Sequence, residues 1–349
     1  MSTNPIAINA SGSVWEKYLS SRMENPFQKI INPHTPTSVS ITIFLWVSSY
    51  LSIFFSAVLR PLRFFFPANI IYIACENINM KILLGPAGAG GFDGSTIEGV
   101  RKLPGLGLQT MEVQFSHGIA MGNELAKKVG LENKKYNIKL SVHAPFFINL
   151  ASKEKKKVEE SKKRILDSCE RAHFMGADPV VFHPAYFGGV EKEKVFQATK
   201  EAIIEMQGFI KRKGWEVRLA PETTGKHSAL GSLDETIRLV KETGCFLCVD
   251  PAHLFARGYG KLDFGEMLDR LKFIKEPMHF HFSGIEYTSK GERNHIVLDH
   301  SPDFMEFAKE LVKRKISCTI ISESPITWQD SLKMKRVFEG MGYRFYKEI

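Results

Sequence analysis

The chain is poor in cysteine, and what it has does not pair off: five residues, an odd number, are scattered through 349 positions with no signal-peptide cleavage pattern. That argues against a disulfide framework and for a reducing, cytoplasmic setting. Cys245 and Cys248 form a C-x-x-C, but they fall in a strand-like run, where residues three apart point to opposite faces. Neither a redox nor a zinc role is expected of them. A phosphate-binding loop is also missing. Gly85-Pro86-Ala87-Gly88-Ala89-Gly90-Gly91 is rich in glycine but lacks the spacing and the Lys-Ser/Thr of a P-loop, and it reads as a flexible loop. Hydrophobic and charged fractions of 44% and 24% are those of an ordinary globular protein, so disorder is not the default.

Positive charge is in excess. The formal net charge is +9; residues 1–79 hold five Lys/Arg and three Asp/Glu, so +7 of it belongs to the remainder. Such a surplus fits a polyanionic partner, although solubility alone can produce one.

Ser40 to Leu59 is a run of 20 residues without a charge, followed by Arg60 and Arg63. It is long enough to cross a bilayer core of about 30 Å, with the arginines favouring a cytoplasmic C-terminal side. Several Ser and Thr dilute the run, and no motif precedes Met80. The preferred expectation is that residues 1–79 are an appended hydrophobic leader outside the chemistry, with a membrane anchor as the alternative.

After Met80, short apolar runs alternate with amphipathic charged stretches, the pattern of βαβ units. The strand-like runs are Lys81–Gly85, Thr110–Phe115, Ile138–His143, Pro179–His183, Val217–Glu222, Phe246–Asp250, Met278–Ser283 and Cys318–Glu323. Helical candidates include Lys153–Met175, Glu193–Lys213, Leu233–Thr243 and Phe304–Lys315, with Gly176, Gly214 and Gly244 as C-cap signals. Eight units in residues 80–349 predict a closed (β/α)8 TIM barrel, an α/β fold, ahead of a doubly wound open sheet.

Barrel enzymes carry their chemistry at the C-terminal ends of the strands. Six of the eight runs end in or near a potential ligand: His143, His183, Glu222, Asp250 with His253, His279 and His281, and Glu323, with His295 in the loop after the seventh. Any one of these alone reads more readily as a hydrogen-bonded structural residue. Converging on one rim, Glu222, Asp250 and Glu323 would repel at a cost of about several kcal/mol each unless cations neutralised them. Imidazole and carboxylate donors without thiolate suit zinc, with manganese or iron where carboxylates dominate. Eight donors exceed one tetrahedral ion and suit two or three, with Glu222 as the candidate bridge.

The motifs Ser-Val-His-Ala-Pro-Phe-Phe-Ile-Asn-Leu (141–150), Val-Phe-His-Pro (181–184), Pro-Glu-Thr-Thr-Gly-Lys (221–226), Val-Asp-Pro-Ala-His-Leu-Phe-Ala-Arg-Gly-Tyr (249–259) and Ser-Glu-Ser-Pro (322–325) stand in order on the strand ends. From Met80 to the C-terminus the sequence thereby resembles the endonuclease IV family of apurinic/apyrimidinic endonucleases, within the xylose-isomerase-like barrels. The resemblance implies a trinuclear zinc site: His143, His183 and Glu222 on one ion, Glu222, Asp250, His281 and Glu323 on a second, His253 and His295 on a third. His281 is taken over His279 as nearer the strand end. The resemblance departs at Arg293, where bacterial members carry an Asp, so the third site is expected to be weaker, rebuilt with Glu292, or absent. It also departs after strand two, where Ser116-His117-Gly118-Ile119-Ala120 replaces an arginine-containing DNA loop. Phe146 and Phe147 match a bulky pair that wedges into the duplex, against the alternative of ordinary loop packing.

The implied reaction is hydrolysis of the phosphodiester 5′ to an abasic site in double-stranded DNA, by a monomer, with Glu222 and Glu323 as catalytic residues and Glu323 orienting or deprotonating the attacking water. Lys226, Arg257 and Tyr259 are expected to contact DNA beside the phenylalanines. Competing readings are a single-metal sugar isomerase or epimerase using Glu222, Asp250, His281 and Glu323 alone, and a non-catalytic membrane-tethered module.

Overall fold

The computed structural model describes residues 80–92 and 94–345. The apolar run 40–59 and its leader or anchor reading lie outside the described residues. Among those described, no helix is long and apolar enough to cross a membrane.

In chain order the elements are β1 (Ile82–Pro86), α1 (Thr96–Leu106), β2 (Thr110–Gln114), α2 (Asn123–Tyr136), β3 (Lys139–His143), α3 (Lys155–Met175), β4 (Val180–Phe182), β5 (Ala185–Tyr186), α4 (Lys192–Lys213), β6 (Leu219–Pro221) and β7 (Ala229–Leu230). There follow α5 (Leu233–Thr243), β8 (Cys248–Val249), α6 (Pro251–Arg257), α7 (Phe264–Arg270), β9 (Met278–Phe282), β10 (Gly284–Thr288), β11 (Gly291–Ile296), α8 (Phe304–Arg314), β12 (Cys318–Ser322) and α9 (Thr327–Gly340).

Two four-stranded parallel sheets, β1-β12-β9-β8 and β2-β3-β4-β6, form the two halves of the barrel. Parallel bridges from Ala87 to Glu112 and from Glu222 to Cys248 close the seams. Among the described residues the eight barrel strands therefore follow one another around the ring in chain order, as a right-handed succession of βα units requires. The predicted barrel is the one found, and each of its strands lies within a predicted run to one residue at either end. Gly176, Gly214 and Gly244 cap α3, α4 and α5 with φ of 68°, 66° and 68°, the left-handed conformation a side chain would resist.

Alternation along each strand divides the core in two. Val180, Leu219, Leu247 and Val249 pack outward against the helices in one large cluster. Their neighbours Val181, Ala220, Phe246 and Cys248 form a small cluster inside the ring. Cys245 belongs to the outer cluster and Cys248 to the inner one, so the C-x-x-C does face two ways.

Two local expectations change. The stretch around His295 is not a loop but the second strand of an antiparallel hairpin, β10 with β11, in which Ile285 pairs with His295. The sixth run shortens to Cys248–Val249 because Asp250 leaves the strand to cap α6, its side chain accepting from His253 N at 2.9 Å.

Candidate metal centre

The residues singled out at the strand ends do meet at one rim. His143 ends β3, His183 follows β4, Glu222 follows β6, Asp250 separates β8 from α6, His281 lies in β9 and Glu323 follows β12. His253 is carried in by the first turn of α6 and His295 by the hairpin strand β11.

Glu222 is the hub and is fully buried. Its Oε2 lies 3.2 Å from His143 Nε2 and 3.1 Å from His183 Nε2. Its Oε1 lies 3.1 Å from His281 Nδ1 and 3.2 Å from His253 Nδ1. Donor atoms converge in four groups among the described residues: His143, His183 and Glu222; Glu222, Asp250, His281 and Glu323; Asp250, His253, His295 and Glu323; and, deeper in the ring, Cys248, His279 and His281, which brings in the Cys248 thiol for which no metal role was expected. Within each, the atoms lie within 4.8 Å of one another.

Hydrogen bonding to the other ring nitrogens decides what the convergence means. His143 Nδ1 sits 2.7 Å from the Ala144 carbonyl, and His253 Nδ1 sits 2.9 Å from the Thr223 carbonyl. A carbonyl only accepts, so both rings hold their proton on Nδ1, and as neutral imidazoles they aim an Nε2 lone pair inward. For His143 that lone pair faces a carboxylate oxygen, and for His253 it faces His295 Nε2 at 3.2 Å. His295 Nδ1 is in turn 2.7 Å from Ser283 Oγ. Lone pairs aimed at one another or at a carboxylate repel unless protons or cations stand between them. Asp250 Oδ2 is buried with no hydrogen-bond partner, its nearest cationic group being His253 Nδ1 at 3.5 Å. Outer nitrogens fixed by backbone and inner nitrogens converging on carboxylates are how metal-binding histidines are held, and the donor set fits divalent cations.

Protonation supplies the compensation in the absence of metal. Burial alone would raise the pKa of Glu222, but the charges of His281 and His183 with hydrogen bonds from His143 and His183 hold it well below the carboxylate range. Glu323 behaves likewise: burial opposes, the nearby His281 prevails, and it falls to about 2. Burial pulls His143, His253 and His281 down, while Glu222 at His143, Asp250 and Glu292 at His253, and Cys248, Glu112 and Glu323 at His281 raise all three. Asp250 moves the other way, raised chiefly by burial.

At the third group, Arg293 is exposed, whereas Glu292 turns inward with Oε2 3.5 Å from His253 Nε2 and accepting from Gly225 N at 3.1 Å. Glu292 rather than Arg293 is the residue of this pair turned toward His253.

A cavity of about 400 Å³ opens over the centre, with His143, Phe146, His183, Lys226, His295 and Glu323 in its wall. Phe146 and Phe147 are 45% and 69% exposed. Phe146 leans on His143 at 5.8 Å between ring centroids. Tyr259, 56% exposed and at φ +53°, stacks on His227. The Lys226 ammonium is 3.8 Å from Glu292, its side chain nearly half exposed.

Arg257 needs correction. Its guanidinium is turned in rather than out: Nη1 donates to the carbonyls of Thr224, Lys226 and Ala229 at 3.2, 2.8 and 3.2 Å, and the side chain is only 12% exposed. These bonds hold the loop after β6 in place, and we assign Arg257 no phosphate contact.

One buried group was missed. Glu112, in the middle of β2, is completely enclosed and bonded to Ser141, Gln114 and His279. It escaped notice because it lies two residues short of a strand end, inside the ring.

Fold and donors together define a (β/α)8 barrel whose rim gathers histidines and carboxylates in metal-binding arrangements. The sequence profile of the xylose isomerase-like TIM barrel matches residues 100–338, and the chain belongs to that family. An uncharacterized protein of Methanocaldococcus jannaschii is 33% identical over 277 residues, 76% of this chain and 100% of its own length. A probable endonuclease 4 of Mycobacterium leprae is 31% identical over 137 residues, 38% of this chain and 51% of that protein. Among solved structures, a D-tagatose 3-epimerase-like protein superposes with a TM-score of 0.59 at 18% identity, covering 75% of this chain and 97% of the other. Endonuclease IV from Thermus thermophilus gives 0.54 at 19%, covering 75% and 98%. At such identities the two superpositions speak to the fold alone.

Proposed function

We propose that this protein is a metal-dependent phosphodiesterase that cuts double-stranded DNA on the 5′ side of abasic sites. The observation that carries the reading is the second set of histidines: His143, His183, His253 and His295 add inward-facing donors to Glu222, Asp250, His281 and Glu323, and a single ion has no use for them. The similarity to endonuclease 4 proteins in sequence supports it.

Zinc is the cation this donor set suits best, with manganese as the alternative; two or three such ions supply Lewis acidity and positive charge where a phosphodiester gains negative charge. Glu222, Asp250 and Glu323 offer the carboxylate oxygens shared between neighbouring donor groups. Glu323, ionised and in the cavity wall, accepts the proton of an attacking water and aims it. Lys226 swings from Glu292 to a flanking phosphate, while Phe147 and Tyr259 present open rings to the bases beside the gap.

A single-metal sugar epimerase remains the second reading, because Glu222, Asp250, His281 and Glu323 converge as one four-donor group. Elemental analysis of the purified chain, with incision of a duplex carrying one abasic site, separates the two. Two or three equivalents of metal and a 3′-hydroxyl product support the nuclease. One equivalent, no incision and turnover of a ketose select the epimerase.

A further inference from the structure

We infer that Glu112 is a positioning residue that orients His281 toward the metal centre from inside the barrel. The inference rests on the metal-centre reading but not on the choice of substrate.

β2 alternates cleanly: Met111 and Val113 join the outer core, which turns Glu112 into the ring. There the carboxylate is surrounded. Ser141 Oγ donates to Oε2 at 2.9 Å, and Gln114 Nε2 donates to Oε1 at 3.1 Å. His279 Nε2 lies 3.2 Å from Oε2, and His281 Nε2 lies 3.0 Å from Oε1. The last contact is an ion pair that falls short of a straight hydrogen bond.

His281 bridges two carboxylate environments. With Nε2 against Glu112, its Nδ1 is presented to Glu222 Oε1 at 3.1 Å and Glu323 Oε1 at 3.4 Å. The outer nitrogens of His143 and His295 meet neutral oxygens, from Ala144 and Ser283, and that of His253 meets the Thr223 carbonyl at 2.9 Å with the Glu222 and Asp250 carboxylates beside it at 3.2 and 3.5 Å. His281 Nε2 has the Glu112 carboxylate behind it. A charged partner fixes the ring's tautomer more firmly and makes the inner nitrogen a stronger donor. An isolated carboxylate at this depth would cost several kcal/mol, and an apolar side chain would serve packing alone better. Ser141, Gln114 and His279 keep it in place, so the ring of His281 is steered by a braced group.

The test is Glu112→Gln in the full chain, which keeps size and an acceptor oxygen and removes the charge. Zinc affinity is measured by chelator competition, the cobalt-substituted absorption spectrum is recorded, and the thermal midpoint of the metal-free protein is compared. We expect one class of ion to bind about 10- to 100-fold more weakly, with an altered cobalt spectrum and the other ions unaffected. Zinc affinities within twofold of the parent and an unchanged spectrum overturn the inference. Should Glu112→Gln fail to fold, Ser141→Ala, which frees the carboxylate from one brace, is expected to weaken the same ion by a few-fold, and no weakening overturns it. If the parent binds metal but leaves abasic DNA intact, the nuclease proposal fails while the affinity measurement still decides Glu112. A parent that binds no divalent ion removes both.

Discussion

Glu222 meets four histidine nitrogens, so its charge is the most consequential at the centre. Glu222→Gln is expected to weaken zinc binding by roughly 100-fold or more and to remove incision, checked by elemental analysis and a duplex assay. The raised histidines give a pH signature. Folded-state values above the ordinary 6.5 for His143, His253 and His281 mean that, without metal, their contribution to stability is complete below that pH and is lost as pH rises through the raised values. Glu323 contributes above its ordinary 4.5 and loses that contribution as pH falls through about 2; Asp250, raised by burial, opposes folding once ionised. The three histidines and Glu323 together contribute most to the stability of the metal-free protein between 4.5 and 6.5. Zinc requires the same nitrogens deprotonated, so the rise in Tm on adding zinc should grow between about pH 5.5 and 8. A zinc effect that stays flat over that range would contradict the ligand assignment. Phe147, being largely exposed, predicts a different pattern: Phe147→Ala should leave Tm within about a degree and weaken binding of an abasic duplex by about tenfold.

At the scale of elements, β1 and β2 approach so closely that a Cβ on Gly85 would lie 1.7 Å from the Thr110 carbonyl oxygen. Gly85→Ala should therefore cost about 4 kcal/mol, visible as lost soluble yield or a collapsed urea midpoint. A well-folded variant would mean that the seam is looser than this approach implies. On the far side of the ring, α5 opens with a capping box: Ser232 Oγ accepts from Glu235 N, and Glu235 accepts from Ser232 N. Ser232→Ala should lose about 1 kcal/mol while leaving metal content unchanged, a control that separates stability from the site. The hairpin β10–β11 acts differently, since it packs on α6 and delivers His295 to His253. Its register, with an irregularity between Glu286 and Tyr287, decides that Glu292 rather than Arg293 turns toward the donors.

Across the whole molecule, the surplus of +9 predicts duplex binding that weakens steeply with salt, by about tenfold or more between about 50 and 200 mM if several phosphates are neutralised; affinity indifferent to salt would argue against a polyanionic ligand. Sequence alone determined the barrel and most of its rim, because both depend on local repetition: apolar runs at βα spacing, glycines past helix ends, and polar residues where each strand stops. Those signals point to Glu222, Asp250, Glu323 and the histidines at strand ends without any knowledge of distance. Tertiary structure decided the rest. Arg257 has the same sequence signature whether it faces phosphates or carbonyls, and only the fold of the loop after β6 turned it inward. Glu112 was illegible for a related reason: its partners Ser141, His279 and His281 come from β3 and β9, and only closure of the ring brings them to one carboxylate. Ring closure likewise set which nitrogen of each histidine faces the centre, since that follows from which carbonyl or carboxylate lies behind the ring.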